Sequence, residues 1–177
     1  MLSKEILRKK FSLIRKKKYF EVKENFFSPI LKMIKINNLK NIACYYPSNY
    51  ELSTLKLFKL LNSEKRISIL LPCISNGSMK FVKWNLQEPL KVNKFGFLEP
   101  IQISRSIKPD LIVAPLLAFD KSKNRLGYGK GYYDKFLKKN KRIITIGIAF
   151  YFQKYKKIRT SNYDVKLNYI LTDKGIF

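Results

Sequence analysis

Between Ala118 and Asp134 lie three of the chain's seven glycines, Gly127, Gly129 and Gly131, at alternate positions and with Lys130 between the last two. A loop that lacks a Cβ at every second residue lets successive backbone N–H groups converge on an anion. Lys130 and Arg125 bring the positive charge that a polyphosphate needs, and Asp134 follows in the same segment. The spacing fits neither the phosphate loop that ends in Gly-Lys-Ser/Thr nor the dinucleotide fingerprint. Taken alone, Gly-x-Gly-x-Gly is equally a plain turn joining a strand to a helix.

The elements around this loop must position it. Asp110 to Pro115 reads as a buried strand leading in, and Tyr132 to Lys139 as a helix leading out, so the loop stands where helix N-termini receive phosphates. At the N-terminus, Ser3 can cap a helix beginning at Lys4, with Ile6, Leu7, Phe11 and Ile14 as its buried stripe. Lys4, Arg8 and Arg15 share another face at spacings of four and seven. They form either a reach toward one polyanion or a solvated basic face. Ser28 to Lys35 reads as a second helix. Asn41 to Tyr46 reads as a strand, Pro47 to Tyr50 as its exit, and Thr54 to Asn62 as a helix buried through Leu55, Phe58 and Leu61. Glu51 falls in that exit, where open α/β sheets bind ligands, although an acid also suits the helix start by charge alone.

Ile67 to Leu71 and Met79 to Trp84 read as strands joined through an Asn76-Gly77 turn, and Arg142 to Phe150 and Tyr169 to Thr172 as two more. Phe81 and Trp84 read as core, whereas Phe95 is placed to stack on a flat heterocycle or simply to pack. Strands alternating with helices predict one three-layer α/β domain over residues 1–177, an open, mostly parallel sheet with helices on both faces.

Composition narrows the chemistry. The chain has no histidine, which removes imidazole acid–base and His-metal chemistry and leaves carboxylates, Lys, Arg, Tyr and metal. Cys44 and Cys73 sit in apolar runs and read as reduced core residues. The runs Leu111–Phe119 and Ile143–Phe152 are too short to cross a bilayer, and the N-terminus lacks the apolar core of a secretory signal, so a cytoplasmic protein without a membrane partner is expected. The net charge of +25 invites a nucleic-acid partner. Its lysines are spread over helices, strands and loops instead of being blocked, which predicts no specific nucleic-acid surface.

Pro115-x-x-Ala-Phe-Asp120, followed by Asn124-Arg-Leu-Gly-Tyr-Gly-Lys-Gly-Tyr-Tyr-Asp134, resembles the signature of the 5-formyltetrahydrofolate cyclo-ligase family, and the resemblance extends from Lys4 to Thr172. It implies an ATP- and Mg2+-dependent conversion of 5-formyltetrahydrofolate to 5,10-methenyltetrahydrofolate with release of ADP and phosphate. A monomer is expected, and the excess of lysine suits polyglutamylated folates, which are polyanions. By this resemblance Lys4 and Arg8 bind ATP. So does the segment Arg125, Leu126, Gly127, Tyr128, Gly129, Lys130, Gly131, Tyr132 and Tyr133, in which Lys130 and Arg125 stabilise phosphate charge. Tyr46 and Glu51 match folate contacts, Gly96 to Pro100 matches a rim of the folate pocket, and Asp134 and Asp164 match magnesium positions. The sequence departs from the family pattern at Lys123, where Gly is usual, at Lys135 for Arg, at Tyr163 for His, and at Asn168 for an acid. Two readings of other classes compete: a basic nucleic-acid-binding protein, and an ATP-independent sugar-phosphate or acyl-group enzyme on a similar scaffold.

Overall fold

A computed structural model describes residues 2–101 and 105–177. Its centre is a sheet of seven strands. In chain order these are β1 (Asn41–Ala43), β2 (Ser68–Ser75), β3 (Ser78–Lys83), β6 (Leu111–Ala114), β9 (Ile144–Ile148), β10 (Tyr169–Thr172) and β11 (Gly175–Ile176). Two small ribbons, β4 (Leu90–Val92) with β5 (Leu98–Pro100) and β7 (Ala118–Phe119) with β8 (Arg125–Leu126), stand apart from it. The helices are α1 (Lys4–Lys18), α2 (Ser28–Ile36), α3 (Leu55–Asn62) and α4 (Tyr132–Lys139).

The spatial order is β11-β10-β9-β6-β1-β2-β3. The five strands from β10 to β2 pair in parallel, and β3 and β11 add antiparallel edges. Side chains alternate across the sheet. Ile42, Cys44, Leu111, Val113, Ile146 and Ile148 face the layer containing α2 and α3, whereas Ala43, Ile112, Ala114 and Ile170 face Leu137 of α4. Both faces are therefore buried, which is why the parallel strands read as continuous apolar runs. The expected three-layer α/β architecture is present.

From β1 the chain crosses through α3 to β2 on one side, and later returns through β6 on the other. The strand order thus reverses between β1 and β6. The loops leaving their carboxyl ends diverge there and open a crevice.

Several elements differ from the expectation in extent. β1 stops at Ala43 because the chain beyond Cys44 turns out of the ladder, pinned where the Tyr45 hydroxyl donates to Leu52 O and Thr54 Oγ1 donates to Tyr45 O. β2 runs on to Ser75 and closes on β3 through Asn76 and Gly77. Both turn residues have positive φ, 49° and 72°, the twist that suits a two-residue hairpin. Arg142 to Phe150 contracts to β9. Leu55 lies on the exposed side of α3, and Leu57 takes its place in the core beside Phe58 and Leu61. Ile6 is 51% exposed, because the stripe that α1 buries is Leu7, Phe11 and Arg15 at spacings of four. Phe81 and Trp84 are core residues, Cys44 and Cys73 are buried free thiols, and no described helix is long and apolar enough to cross a membrane.

The largest correction concerns the route from β6 to the glycine loop. The strand does not lead straight into it; the β7–β8 hairpin intervenes. Asp120, 3% exposed, organises this hairpin by accepting from the backbone N–H groups of Ser122, Asn124 and Ile158 and from the Asn124 amide. Lys123, at the position where the family uses glycine, takes φ 62°, so a Cβ is tolerated in this turn at some conformational cost. α1 lies across the hairpin, with Leu7 and Phe11 packed among Leu117, Ala118, Leu126 and Ile158.

Gly147 in β9 shows how tightly the α4 face is filled. A Cβ there would stand 2.6 Å from Leu116 Cδ2, 2.7 Å from Leu167 Cδ1 and 2.9 Å from Ile170 Cδ1. Gly147→Ala is expected to lose about 1–3 kcal/mol of stability through overpacking, read as a lower urea midpoint with an unchanged slope.

Candidate active site

The crevice between the β1 and β6 exits is a cleft of about 210 Å3. One wall is the glycine loop with the start of α4. The other comprises Tyr45, Tyr46 and Glu51 from the β1 exit. Phe95, Phe97 and Leu98 of the β4–β5 ribbon close it from above, and Lys4 and Asp164 stand at its mouth. Of the residues that the resemblance assigns to ATP, folate or magnesium, Arg8 alone does not line the cleft. It supports the loop from behind.

That support is a close contact. Arg8 Nε donates to Gly127 O at 2.9 Å, and a Cβ on Gly129 would meet the Arg8 guanidinium carbon at 3.0 Å. Gly129 also has φ 96°, a conformation that side chains rarely adopt. Glycine is required there twice over, by backbone geometry and by the cation pressed against it. Lys130 extends from the loop into solvent. Its ammonium lies 5.2 Å from the centre of the Phe95 ring and makes no ion pair among the described residues. Phe95 in turn packs at a tilt on Tyr132, with ring centres 5.7 Å apart, and Phe97 likewise on Tyr128 at 5.5 Å.

Arg125 is more constrained. At 8% exposure it donates through Nη1 to Val165 O and through Nη2 to Asp134 Oδ1 at 2.8 Å, tying β8 to α4 and to the segment carrying Asp164. Burial pulls its pKa below the ordinary arginine value, against the pull of the Asp134 carboxylate. Across the cleft mouth, both Asp164 oxygens accept from Lys4 Nζ at 2.7 Å, and Oδ2 also takes the Ser161 N–H and hydroxyl. Burial works against that carboxylate, but the Lys4 and Ser161 hydrogen bonds outweigh it and hold its pKa below the usual value. Tyr163 is 77% exposed beside it. Asn168, the other departure nearby, accepts from the Thr145 N–H and hydroxyl and so serves the β9–β10 pairing instead of the cleft.

The donor set suits one kind of metal. Asp134 and Asp164 both line the cleft beside the glycine loop, and Asp134 Oδ2 accepts no hydrogen bond among the described residues. No group of three or more Asp, Glu, Cys or His side chains converges anywhere among those residues. Two carboxylates next to the glycine loop would fit a hard cation that keeps water and takes its other oxygens from a ligand. They do not fit a metal that needs a full protein cage.

On the opposite wall Glu51 is 5% exposed. Its Oε2 accepts from the Ser48 N–H at 2.9 Å and hydroxyl at 3.3 Å, and its Oε1 from the Tyr128 hydroxyl at 2.8 Å. Burial raises its pKa, and Arg15 and the hydrogen bonds oppose that rise. Tyr46 stands beside it, braced by Phe58 and Trp84 at 6.1 and 6.0 Å between ring centres. The phenols of Tyr128 and Tyr133 are pushed up by burial and then by the Glu51 charge. Sequence reasoning did not assign the Tyr128 side chain, since only its backbone belongs to the loop. It left Arg15 unplaced, and the signal was its position two helical turns after Arg8.

The chain is similar to known proteins. The model of the 5-formyltetrahydrofolate cyclo-ligase family matches residues 2–173. The 5-formyltetrahydrofolate cyclo-ligase of Haemophilus influenzae is 34% identical over 150 residues, covering 80% of each chain, and that of Mycoplasma genitalium is 33% identical, covering 75% of this chain and 72% of its own. Among solved structures, the 5,10-methenyltetrahydrofolate synthetase of Aquifex aeolicus superposes with a TM-score of 0.77 at 26% identity, covering 98% of this chain and 91% of that one. The synthetase of Mycoplasma pneumoniae, at 23% identity and a TM-score of 0.74, shares the fold. The match spans nearly the whole chain, from α1 through the glycine loop to β10, and the chain belongs to the 5-formyltetrahydrofolate cyclo-ligase family and is a ligase.

Proposed function

We propose that the cleft binds ATP with Mg2+ along the glycine loop and 5-formyltetrahydrofolate against Tyr46 and Glu51, and that it forms 5,10-methenyltetrahydrofolate, ADP and phosphate. The observation that carries this reading is the contact between the two walls, in which a hydroxyl of the nucleotide loop donates to the folate-side carboxylate at 2.8 Å. Two small ligands bound on such adjoining walls meet end to end.

The chemistry asks little covalent work of the protein. A formyl oxygen is a poor leaving group, so it first attacks the γ-phosphorus, and ADP departs. N10 then closes on the formyl carbon, and the C–O bond breaks with phosphate as the leaving group. What accelerates this is positioning and charge. Lys130, Arg125 and Lys4 line the cleft and bring positive charge to the phosphates, and Arg8 braces the loop at Gly127 O. Backbone N–H groups from Arg125 to Tyr133 cradle the chain of phosphates. Phe95, Phe97 and Tyr46 exclude water, which would otherwise compete with N10 for the activated carbon. Mg2+ held by Asp134 and Asp164 would neutralise the phosphate oxygens that its binding brings together.

In this reading the protein is a single cyclo-ligase-like domain over residues 1–177. It works as a cytoplasmic monomer without a specific nucleic-acid partner, its charge being spread and not gathered into a stripe. The direct test is the absorbance of methenyltetrahydrofolate formed with ATP and Mg2+, with either omitted. Product formation that does not depend on ATP would sink the reading.

Lys130 makes no ion pair among the described residues and only an exposed contact with the Phe95 ring, so Lys130→Ala is expected to nearly keep its melting temperature while single-turnover rates at saturating ATP fall roughly 100-fold. Rates within about threefold of the parent would remove Lys130 from the chemistry. Lys130→Arg should also be slow, because a planar fork does not reproduce a point charge. Asp164 is the cleaner of the two carboxylates to remove, since Asp134 also balances the buried Arg125. Asp164→Asn is expected to raise the Mg2+ concentration needed for half-maximal activity with only a small change in stability, as its pair with Lys4 is partly exposed. A Mg2+ titration unchanged from the parent would assign the ion to ATP and water alone.

A further inference from the structure

Arg15 is 1% exposed and does not line the cleft, and no role described above uses it. Its guanidinium reaches three separate segments. Nη2 donates to Asn49 O and to the Tyr128 hydroxyl, each at 2.6 Å, and Nη1 points to Leu116 O at 3.4 Å. Among the described residues Nε is buried without a partner and no carboxylate pairs with the guanidinium, whose carbon lies 5.8 Å from the centre of the Tyr128 ring. A cation held this far from water without an adjacent anion is costly, and an apolar side chain of similar volume would fill the space more cheaply.

The nearest compensating charge is Glu51, one hydroxyl away. Tyr128 accepts from Arg15 Nη2 and donates to Glu51 Oε1, so the direction of its O–H is fixed by the two charges. Oε2 of Glu51 is already engaged by Ser48. Oε1 is then the oxygen whose aim matters, and Glu51 lines the cleft. The backbone just before Glu51 is unusual as well, with consecutive non-glycine residues Asn49 and Tyr50 at φ 47° and 59°. Such a conformation persists only where its surroundings hold it. The hydrogen bond from Arg15 to Asn49 O is one such restraint. Both contacts, through the hydroxyl and through the backbone, converge on the orientation of one carboxylate.

We propose that Arg15 is a positioning residue of the folate site: through the Tyr128 hydroxyl and the Asn49 carbonyl it aims the Glu51 carboxylate at the N–H edge of the pterin and ties it to the nucleotide loop. This rests on the reading of the cleft given under the proposed function.

The test is calorimetric titration of the full chain with 5-formyltetrahydrofolate, in the parent, Tyr128→Phe, Arg15→Lys and Glu51→Gln, and in the two double variants that combine Glu51→Gln with each of the others. Tyr128→Phe and Arg15→Lys are each expected to raise the Kd about tenfold or more, and Glu51→Gln at least as much. Added to Glu51→Gln, either change should then raise it by no more than about twofold, because the carboxylate through which they act is gone. A purely structural Arg15 predicts something else: lower melting temperatures with an unchanged Kd, or equal losses in both backgrounds. Either result overturns the proposal. Should Arg15→Lys not fold, the Tyr128→Phe arm decides by itself, and a Kd within about twofold of the parent there, while Glu51→Gln binds weakly, overturns it. A parent that does not bind 5-formyltetrahydrofolate, or a Glu51→Gln variant that binds as tightly as the parent, overturns the reading of the cleft, and the proposal falls with it.

Discussion

The packing of α1 across the β7–β8 hairpin is the interaction on which the rest of the cleft depends. Leu7 and Phe11 bury themselves among Leu117, Ala118, Leu126 and Ile158, and this fixes the helix in rotation and depth. Once that is set, the residues at spacings of four and seven have no choice of destination. Lys4 meets Asp164 at the mouth, Arg8 meets the carbonyl of Gly127, and Arg15 passes beneath the loop to Tyr128. An apolar contact outside the sheet's own core thus places three cations around a loop more than a hundred residues away in sequence. The sheet supplies the crevice, and the helix supplies much of the charge.

Much of this was legible in the residues. Parallel strands buried on both faces announce themselves as apolar runs, and α4 and β10 have the ends that periodicity predicts, because a helix and a strand of that kind are set by local pattern. The glycine loop was legible for a different reason. Three alternate glycines with Arg125, Lys130 and Asp134 around them single the segment out before any fold is known, and it lines the cleft. What stayed hidden was tertiary. Nothing local says that Arg15 is fully buried, since a basic residue on a helix with three more lysines after it, Lys16 to Lys18, reads as solvated. The β7–β8 hairpin was hidden because it is two residues deep on each side, held by the Asp120 side chain and not by strand propensity. Ile6 misled for a related reason: an apolar residue at helical spacing says that some face is buried, not which one.

None of the departures from the family pattern lines the cleft. Asn168 still accepts from Thr145, a job open to any side chain with a suitably placed oxygen. Tyr163 is turned out to solvent, and the Asp164 carboxylate is held by Lys4 and Ser161 without it. Lys123 occupies a left-handed turn that glycine would adopt with less strain. That strain sits in the hairpin under α1, two residues before Arg125.

The edges of the sheet give the excess of lysine a further meaning. At one end β11 is two residues long, and at the other β3 alternates buried Met79 and Phe81 with exposed Ser78, Lys80 and Lys83. An open edge strand is a template on which another chain can pair, and brevity and lysine are the two devices that most directly discourage it. Every copy of this protein approaching another also carries a charge of +25. Repulsion between like-charged copies keeps exposed edges apart in a crowded solution. A charge spread in this way opposes edge-to-edge approach between copies of the chain, whatever else the lysines do.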